Sequence, residues 1–229
     1  MFEQRPIRPA RKVRSFCYTC LMNKNIEVEL RGPLNEKEYH TTLLFLRGNG
    51  KLVKKQNRFL LAYSTSLEGI GERKLDVRVR VTNGKVEIVV KKGKFGGTSR
   101  IESSVFPEGS NLSDTLKFMS LLGYTKAVAC DRGIERYEID GIEFAIQDVR
   151  DFGNPGRVHS RFFEAEMMTD DSGKEVAVEK IRIFLIKQNL REFSENEWNE
   201  YVAVMNKEAN GVFDYGEDDI GKVVNLGSV

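Results

Sequence analysis

Three stretches constrain the fold more than anything else in the chain: Glu27-Val28-Glu29-Leu30-Arg31, Arg78-Val79-Arg80 and Phe163-Glu164-Ala165-Glu166. Each alternates charged with apolar residues, and in a strand side chains two positions apart share a face. Extended, the three stretches line up carboxylates and guanidinium groups on one side of a sheet, with apolar side chains behind them. Carboxylate oxygens suit a hard divalent cation and guanidinium forks suit phosphate oxygens, so such a face has the chemistry to hold a metal-bound polyphosphate.

The rest of the chain supplies strands to accompany them. Alternating runs at 75–81 and 86–90 flank Asn83-Gly84, and runs at 127–139 and 142–149 flank Asp140-Gly141. Both dipeptides favour two-residue type I′ hairpins. Further strands are expected at 52–63, 100–105 and 161–168. Helix signals fall between them. Asn35 with Glu38, and Ser194 with Glu197, are spaced as capping boxes, and Asn111 can cap a helix carrying Leu112, Leu116 and Met119 before Gly123. Trp198, Val202 and Met205 form the apolar stripe of the last helix. The reading is α+β: a closed eight-stranded antiparallel β-barrel with about three helices packed outside, closure removing exposed edges.

The 36 basic and 34 acidic residues nearly cancel, leaving a net charge of +2, so no global field draws the protein to nucleic acid or membrane. No apolar run reaches the roughly eighteen residues of a membrane span, and the N-terminus lacks a secretory apolar core; a cytoplasmic protein is expected. The three cysteines do not make a disulfide framework, and Cys17 and Cys20 read as reduced, incidental thiols. Residues 1–21, with Arg5, Arg8, Arg11, Lys12 and Arg14 around Pro6 and Pro9, read as a basic flexible tail. A basic arm touching RNA is the alternative, and Met22 an alternative start. An acidic tail is expected over 211–229.

Two readings compete for the charged face. On one, Glu27, Arg78, Glu164 and their neighbours are solvated positions on a half-buried sheet. On the other the barrel is inverted, with Val28, Val77, Val79, Phe163 and Ala165 packed outward under helices and the charges facing a wet lumen.

The residues favour the second reading through a resemblance. Ile26-Glu27-Val28-Glu29-Leu30-Arg31 resembles the ExExK signature of the CYTH superfamily, the triphosphate tunnel metalloenzymes, with arginine for lysine. The resemblance continues in family order through Val77 to Arg80, Glu87 to Lys92, Ser99 to Glu102, Arg132 to Tyr137 and Phe163 to Glu166. It implies a tunnel domain over 22–210 that binds a triphosphate with Mg2+ or Mn2+. By the same resemblance Glu27, Glu29, Glu164 and Glu166 would serve as metal ligands. Arg78, Arg80, Lys91, Arg100, Arg132 and Arg136 would grip phosphate, and Glu27, Glu29 and Arg31 would carry the catalytic signature. Glu87 and Glu102 would orient the cations or complete the metal shell.

The chain also departs from the family pattern. Where an aspartate is common, it reads Ile146-Gln147-Asp148-Val149, so either Gln147 replaces a carboxylate or a bulge presents Asp148 instead. The acid that often follows Tyr63 is absent. Arg31, unlike lysine, cannot act as a base. The resemblance implies hydrolysis of an inorganic, thiamine or nucleoside triphosphate, without any side-chain nucleophile. Its alternatives are a class IV-type adenylyl cyclase making cyclic AMP from ATP, and a non-catalytic module for polyphosphate or triphosphorylated RNA ends.

Overall fold

The computed structural model describes residues 26–63, 74–95, 97–109, 111–219, 221 and 223. The expected basic tail, Cys17, Cys20 and most of the stretch after Tyr63 lie outside the described residues. In chain order the elements are β1 (Ile26–Pro33), α1 (Glu36–Asn49), β2 (Lys51–Ala62), β3 (Leu75–Thr82), β4 (Lys85–Lys92), β5 (Ser99–Val105), α2 (Leu112–Leu121), β6 (Lys126–Ile139), β7 (Ile142–Asp151), β8 (Asn154–Thr169), α3 (Lys174–Lys187), α4 (Glu195–Glu208) and β9 (Gly211–Asp214).

Strand pairing follows the order β2-β3-β4-β5-β1-β8-β7-β6, and β2 pairs again with β6. That last pairing closes an eight-stranded antiparallel ring. Two of its hairpins turn where expected: Asn83 and Gly84 have φ of 48° and 76°, and Asp140 and Gly141 have 53° and 73°. Positive φ at both central positions is what a type I′ turn demands, and Asn, Asp and Gly adopt it at low cost.

The capping boxes at Asn35 and Ser194 both form, and Asn111 Oδ1 accepts from the Asp114 amide at 2.8 Å. One helix was not anticipated. α3 begins after Gly173 without a side-chain cap, and the barrel carries four described helices rather than about three. Residues 211–214, expected to open an acidic tail, form β9 on the start of β6.

Apolar side chains face outward. Val28, Leu30, Phe144, Phe163 and Ala165 pack beneath Leu43 and Leu46 of α1 and Ile181 and Phe184 of α3. On the other side Phe59, Leu61, Val77 and Val79 pack beneath Leu116 and Met119 of α2. Phe144 and Phe163 stack with centroids 5.2 Å apart, and truncating such a buried ring costs about 3–5 kcal/mol. A third apolar cluster lies at one end of the lumen, where Val149 and Phe162 meet Trp198, Val202 and Met205 of α4. With its apolar faces covered by helices, the barrel leaves its charged faces to the interior.

Candidate functional site

The lumen is a cavity of about 540 Å³, within the range of small-ligand sites. β1 contributes Glu27, Glu29 and Arg31; β3 contributes Arg78 and Arg80; β4 contributes Lys91; and β5 contributes Arg100 and Glu102. Arg132 and Arg136 enter from β6, Gln147 from β7, and Glu164 and Glu166 from β8. With Arg58 of β2, eight basic side chains line the cavity with five carboxylates, and a sixth, buried Asp76, pairs with Arg78 and Arg100. The surplus of positive charge favours an anionic ligand.

Strand register brings the acids together. Glu29 lies directly opposite Glu166 across β1 and β8, and oxygens of Glu27, Glu29 and Glu166 come within 4.8 Å of one another. Burial and the nearby Glu29 carboxylate raise Glu27, while burial with Glu29 and Glu164 pushes Glu166 up to about 8. Burial opposes ionisation of Glu29 as well, but Arg31, Lys91 and Arg100 overcome it and hold Glu29 far below the usual carboxylate range. One firmly ionised acid thus sits among partners that resist ionising beside it. A small divalent cation would relieve that conflict, and the all-carboxylate donor set suits a hard one.

Glu164 adjoins this trio, sharing a hydrogen bond with Glu29. It lies 3.5 Å from Arg31 and accepts a hydrogen bond from the Gln147 side-chain amide. Glu102 bridges Arg80 at 3.2 Å and Lys91 at 2.6 Å; against the cost of burial, these cations bring it down to about 2. Glu87 lies 3.8 Å from Arg80, and Arg136 pairs with Glu143 and Glu166.

The local register of β7 separates the two residues left open by the sequence. Gln147 pairs with Phe162 and faces the lumen, whereas Asp148 faces out and accepts from Arg161 at 2.8 Å. The bulge on this strand comes only after Val149, too late to turn Asp148 inward. Asp148 is therefore not part of the lumen.

Several lumen residues escaped the sequence reading. Asp76 is 2% exposed, accepts from the Arg78 guanidinium, and lies 3.3 Å from Arg100. It has the same strand parity as Arg78 and Arg80, a signal that was available. Arg58 faces the cavity from a strand whose beginning is exposed. Trp198, whose ring lies 5.0 Å from the Arg31 guanidinium carbon, and Asn206 and Asn210 arrive from α4 and the turn beyond it. Among the described residues no helix is long and apolar enough to cross a membrane.

No protein-family model matches the chain, and no curated protein matches it in sequence. Solved structures do. The PH1819 protein of Pyrococcus horikoshii OT3 aligns with a TM-score of 0.56 at 19% identity, covering 77% of this chain and 98% of that one. The PH1012 protein of the same organism gives 0.54 at 17%, covering 72% and 91%. A candidate adenylate cyclase of Vibrio parahaemolyticus gives 0.57 at 14%, covering 76% and 92%. At these identities the likeness shows the fold alone, a closed antiparallel barrel, here with charged side chains lining its interior.

Proposed function

We propose that this protein is a metal-dependent phosphohydrolase that binds an inorganic or organic triphosphate inside the barrel and releases orthophosphate. The observation that carries the reading is the pairing, in one lumen, of the Glu27, Glu29 and Glu166 oxygens within 4.8 Å with eight basic side chains. Glu27, Glu29 and Glu166 would hold the cation, which when bound neutralises charge on the phosphate oxygens and acidifies a water molecule.

The remaining work belongs to the chain's own groups. Arg31 and Arg80 each present a buried Nε without a hydrogen-bond partner, so donors stand ready for phosphate oxygens. Asp76 holds the Arg78 fork, and Arg78, Lys91 and Arg100 would fix the triphosphate in line for attack by water. The ionised Glu29, supported by Arg31 and Arg100, keeps the adjacent cations oriented.

A cyclase reading is favoured by the Vibrio parahaemolyticus neighbour, named as a candidate adenylate cyclase, and a binding-module reading by Gln147 standing where the family commonly has an acid. Product analysis separates the three. With tripolyphosphate, thiamine triphosphate or ATP and either metal, the hydrolase releases orthophosphate. Cyclic AMP with pyrophosphate would replace this reading with the cyclase, and metal-dependent binding without product would replace it with the module.

A further inference from the structure

Hydrogen bonds in the plane of a guanidinium leave its two faces bare, and a buried arginine gains by laying one of them on an aromatic ring. Arg31 is 8% exposed and does so: its guanidinium carbon lies over the ring of Trp198, 5.0 Å from the centroid. In its plane the fork donates to Glu29 through Nη2, while Nε lies 3.5 Å from Glu164 without forming a hydrogen bond. Arg78 and Arg100 stand close enough to repel the same charge.

The ring is held in place by the local sequence. Ser194 is the N-cap of α4, so Phe193 and Trp198 occupy the positions just before the cap and four residues into the helix. Their rings meet at 5.7 Å, the contact of a hydrophobic staple, which fixes the angle at which the chain enters the helix. Phe162 and Tyr201 enclose the indole at 5.4 and 5.9 Å. The same turn is fastened to β1 beside Arg31. The Phe193 amide donates to the Arg31 carbonyl at 2.7 Å, and a Cβ at Gly32 would meet the Arg191 carbonyl oxygen at 2.0 Å, so glycine is what lets the turn lie on the strand. The start of α4 is therefore registered on Arg31 twice, by backbone and by ring.

Behind the contact is open space. Arg31 and Trp198 line both the lumen and an adjoining cavity of about 340 Å³, and the stacked pair stands where the two meet. Without the indole the guanidinium would have room to leave the lumen.

We propose that Trp198 is a positioning residue for Arg31: its ring, set by the staple at the start of α4, supports the guanidinium from the α4 side and keeps the fork turned into the lumen. The inference deepens the proposed function and rests on its reading of Arg31 as a group that meets the triphosphate. Trp198 acts on the ligand through Arg31, not by touching it.

The test is calorimetric titration of tripolyphosphate, in buffer with a chelator, into wild type, Trp198→Phe, Trp198→Leu, Arg31→Gln and the Arg31→Gln/Trp198→Leu double variant. Trp198→Leu is expected to weaken binding about tenfold, and Trp198→Phe, which keeps a ring face, no more than about threefold. When Arg31 is already replaced, the leucine substitution should cost less than about twofold, because the charge that the ring supports is gone. Trp198 is the chain's only tryptophan, so its fluorescence is an independent readout. Saturating tripolyphosphate should shift its emission in wild type and leave it unchanged in Arg31→Gln. Should Trp198→Leu not fold, this emission comparison decides alone. An equal cost of the leucine substitution with and without Arg31 overturns the proposal, because the ring would then act by shaping the cavity. Wild-type affinity in both Trp198 variants overturns it, as does an emission that is silent in wild type or responds equally in Arg31→Gln. Coupling as expected with no orthophosphate release by wild type in Mn2+ sinks the hydrolase and keeps the positioning role. If wild type binds no tripolyphosphate, both fall.

Discussion

The lumen has two unlike walls built by the same alternation. On the β1–β8 wall, Glu29 and Glu166 face each other with Glu27 alongside, and cations reach in to pair with them. On the β2–β6 wall, Arg58 is the cross-strand partner of Arg132, and neither forms a carboxylate ion pair among the described residues. Period-two patterning decides only that the charges share one face; the sign of the cross-strand neighbour decides what ligand each wall would favour. On the proposed reading the first wall favours a cation and the second an anion.

Removing a carboxylate from the acidic wall should have the largest consequence. Glu166→Gln keeps the side chain's size but withdraws a donor, and turnover should fall about a hundredfold or more with partial rescue by excess Mn2+. Steady-state kinetics across a metal titration checks this. Unchanged turnover and metal dependence would make the trio a solvated strand face and erase the distinction between the walls.

Paired and unpaired arginines should then differ in the sign of their effect on ligand-free stability. Arg78→Ala strips Asp76, a buried carboxylate, of its closest partner and should destabilise by about 2 kcal/mol or more, since Arg100 remains. Arg58→Ala relieves repulsion from Arg80, Arg136 and the facing Arg132, and should stabilise by about 1 kcal/mol. Denaturant unfolding of both variants gives the comparison directly. Equal destabilisation would mean that the arginine pair is structurally satisfied after all.

The acidic wall should also leave a pH signature. Glu166 is pushed up to about 8 in the folded protein from an ordinary value of 4.5, so the folded state binds the extra proton between those limits. Stability of the ligand-free protein from this group is therefore full below about 4.5 and is lost as pH rises through 8. Thermal melts from pH 5 to 8.5 should show that decline in wild type, a shallower one in Glu166→Gln, and a flatter one with saturating Mg2+. A slope unaffected by both the substitution and the cation would assign it elsewhere.

The smallest effects are expected on β7. Gln147→Asp adds an oxygen donor beside Glu164 on the lumen face and should lower the Mg2+ concentration for half-maximal activity several-fold, on the order of 1 kcal/mol or less. Asp148→Asn faces the other way and should leave metal dependence alone while weakening its contact with Arg161. The opposite pattern would mean that the strand is shifted by one residue relative to the register described.

Much of this was legible before the fold was known, because alternation, hairpin turns and capping boxes are local. Glu27, Glu29 and Arg31 could be assigned to one face from spacing alone, and Asn83-Gly84 and Asp140-Gly141 marked their turns. What stayed hidden depended on neighbours distant in sequence or on blurred patterns. α3 has no side-chain cap, and exposed Val176, Ile183 and Ile186 dilute the contrast with its buried Ala177, Ile181 and Phe184. Arg58 follows Lys51, Lys54 and Lys55 in a run that reads as a solvated strand, and only the closing β2–β6 pairing brings it opposite Arg132. Trp198 was expected as core, and its contact with Arg31 needed the tertiary placement of α4.

The division of labour between the walls can be measured in one calorimetric set: Mn2+ alone, then tripolyphosphate in chelator, titrated into wild type, Glu166→Gln and Arg58→Gln. The account predicts that Glu166→Gln weakens Mn2+ binding at least about tenfold without weakening tripolyphosphate, and that Arg58→Gln does the reverse. Equal losses of both ligands in both variants, or no loss in either, would contradict it.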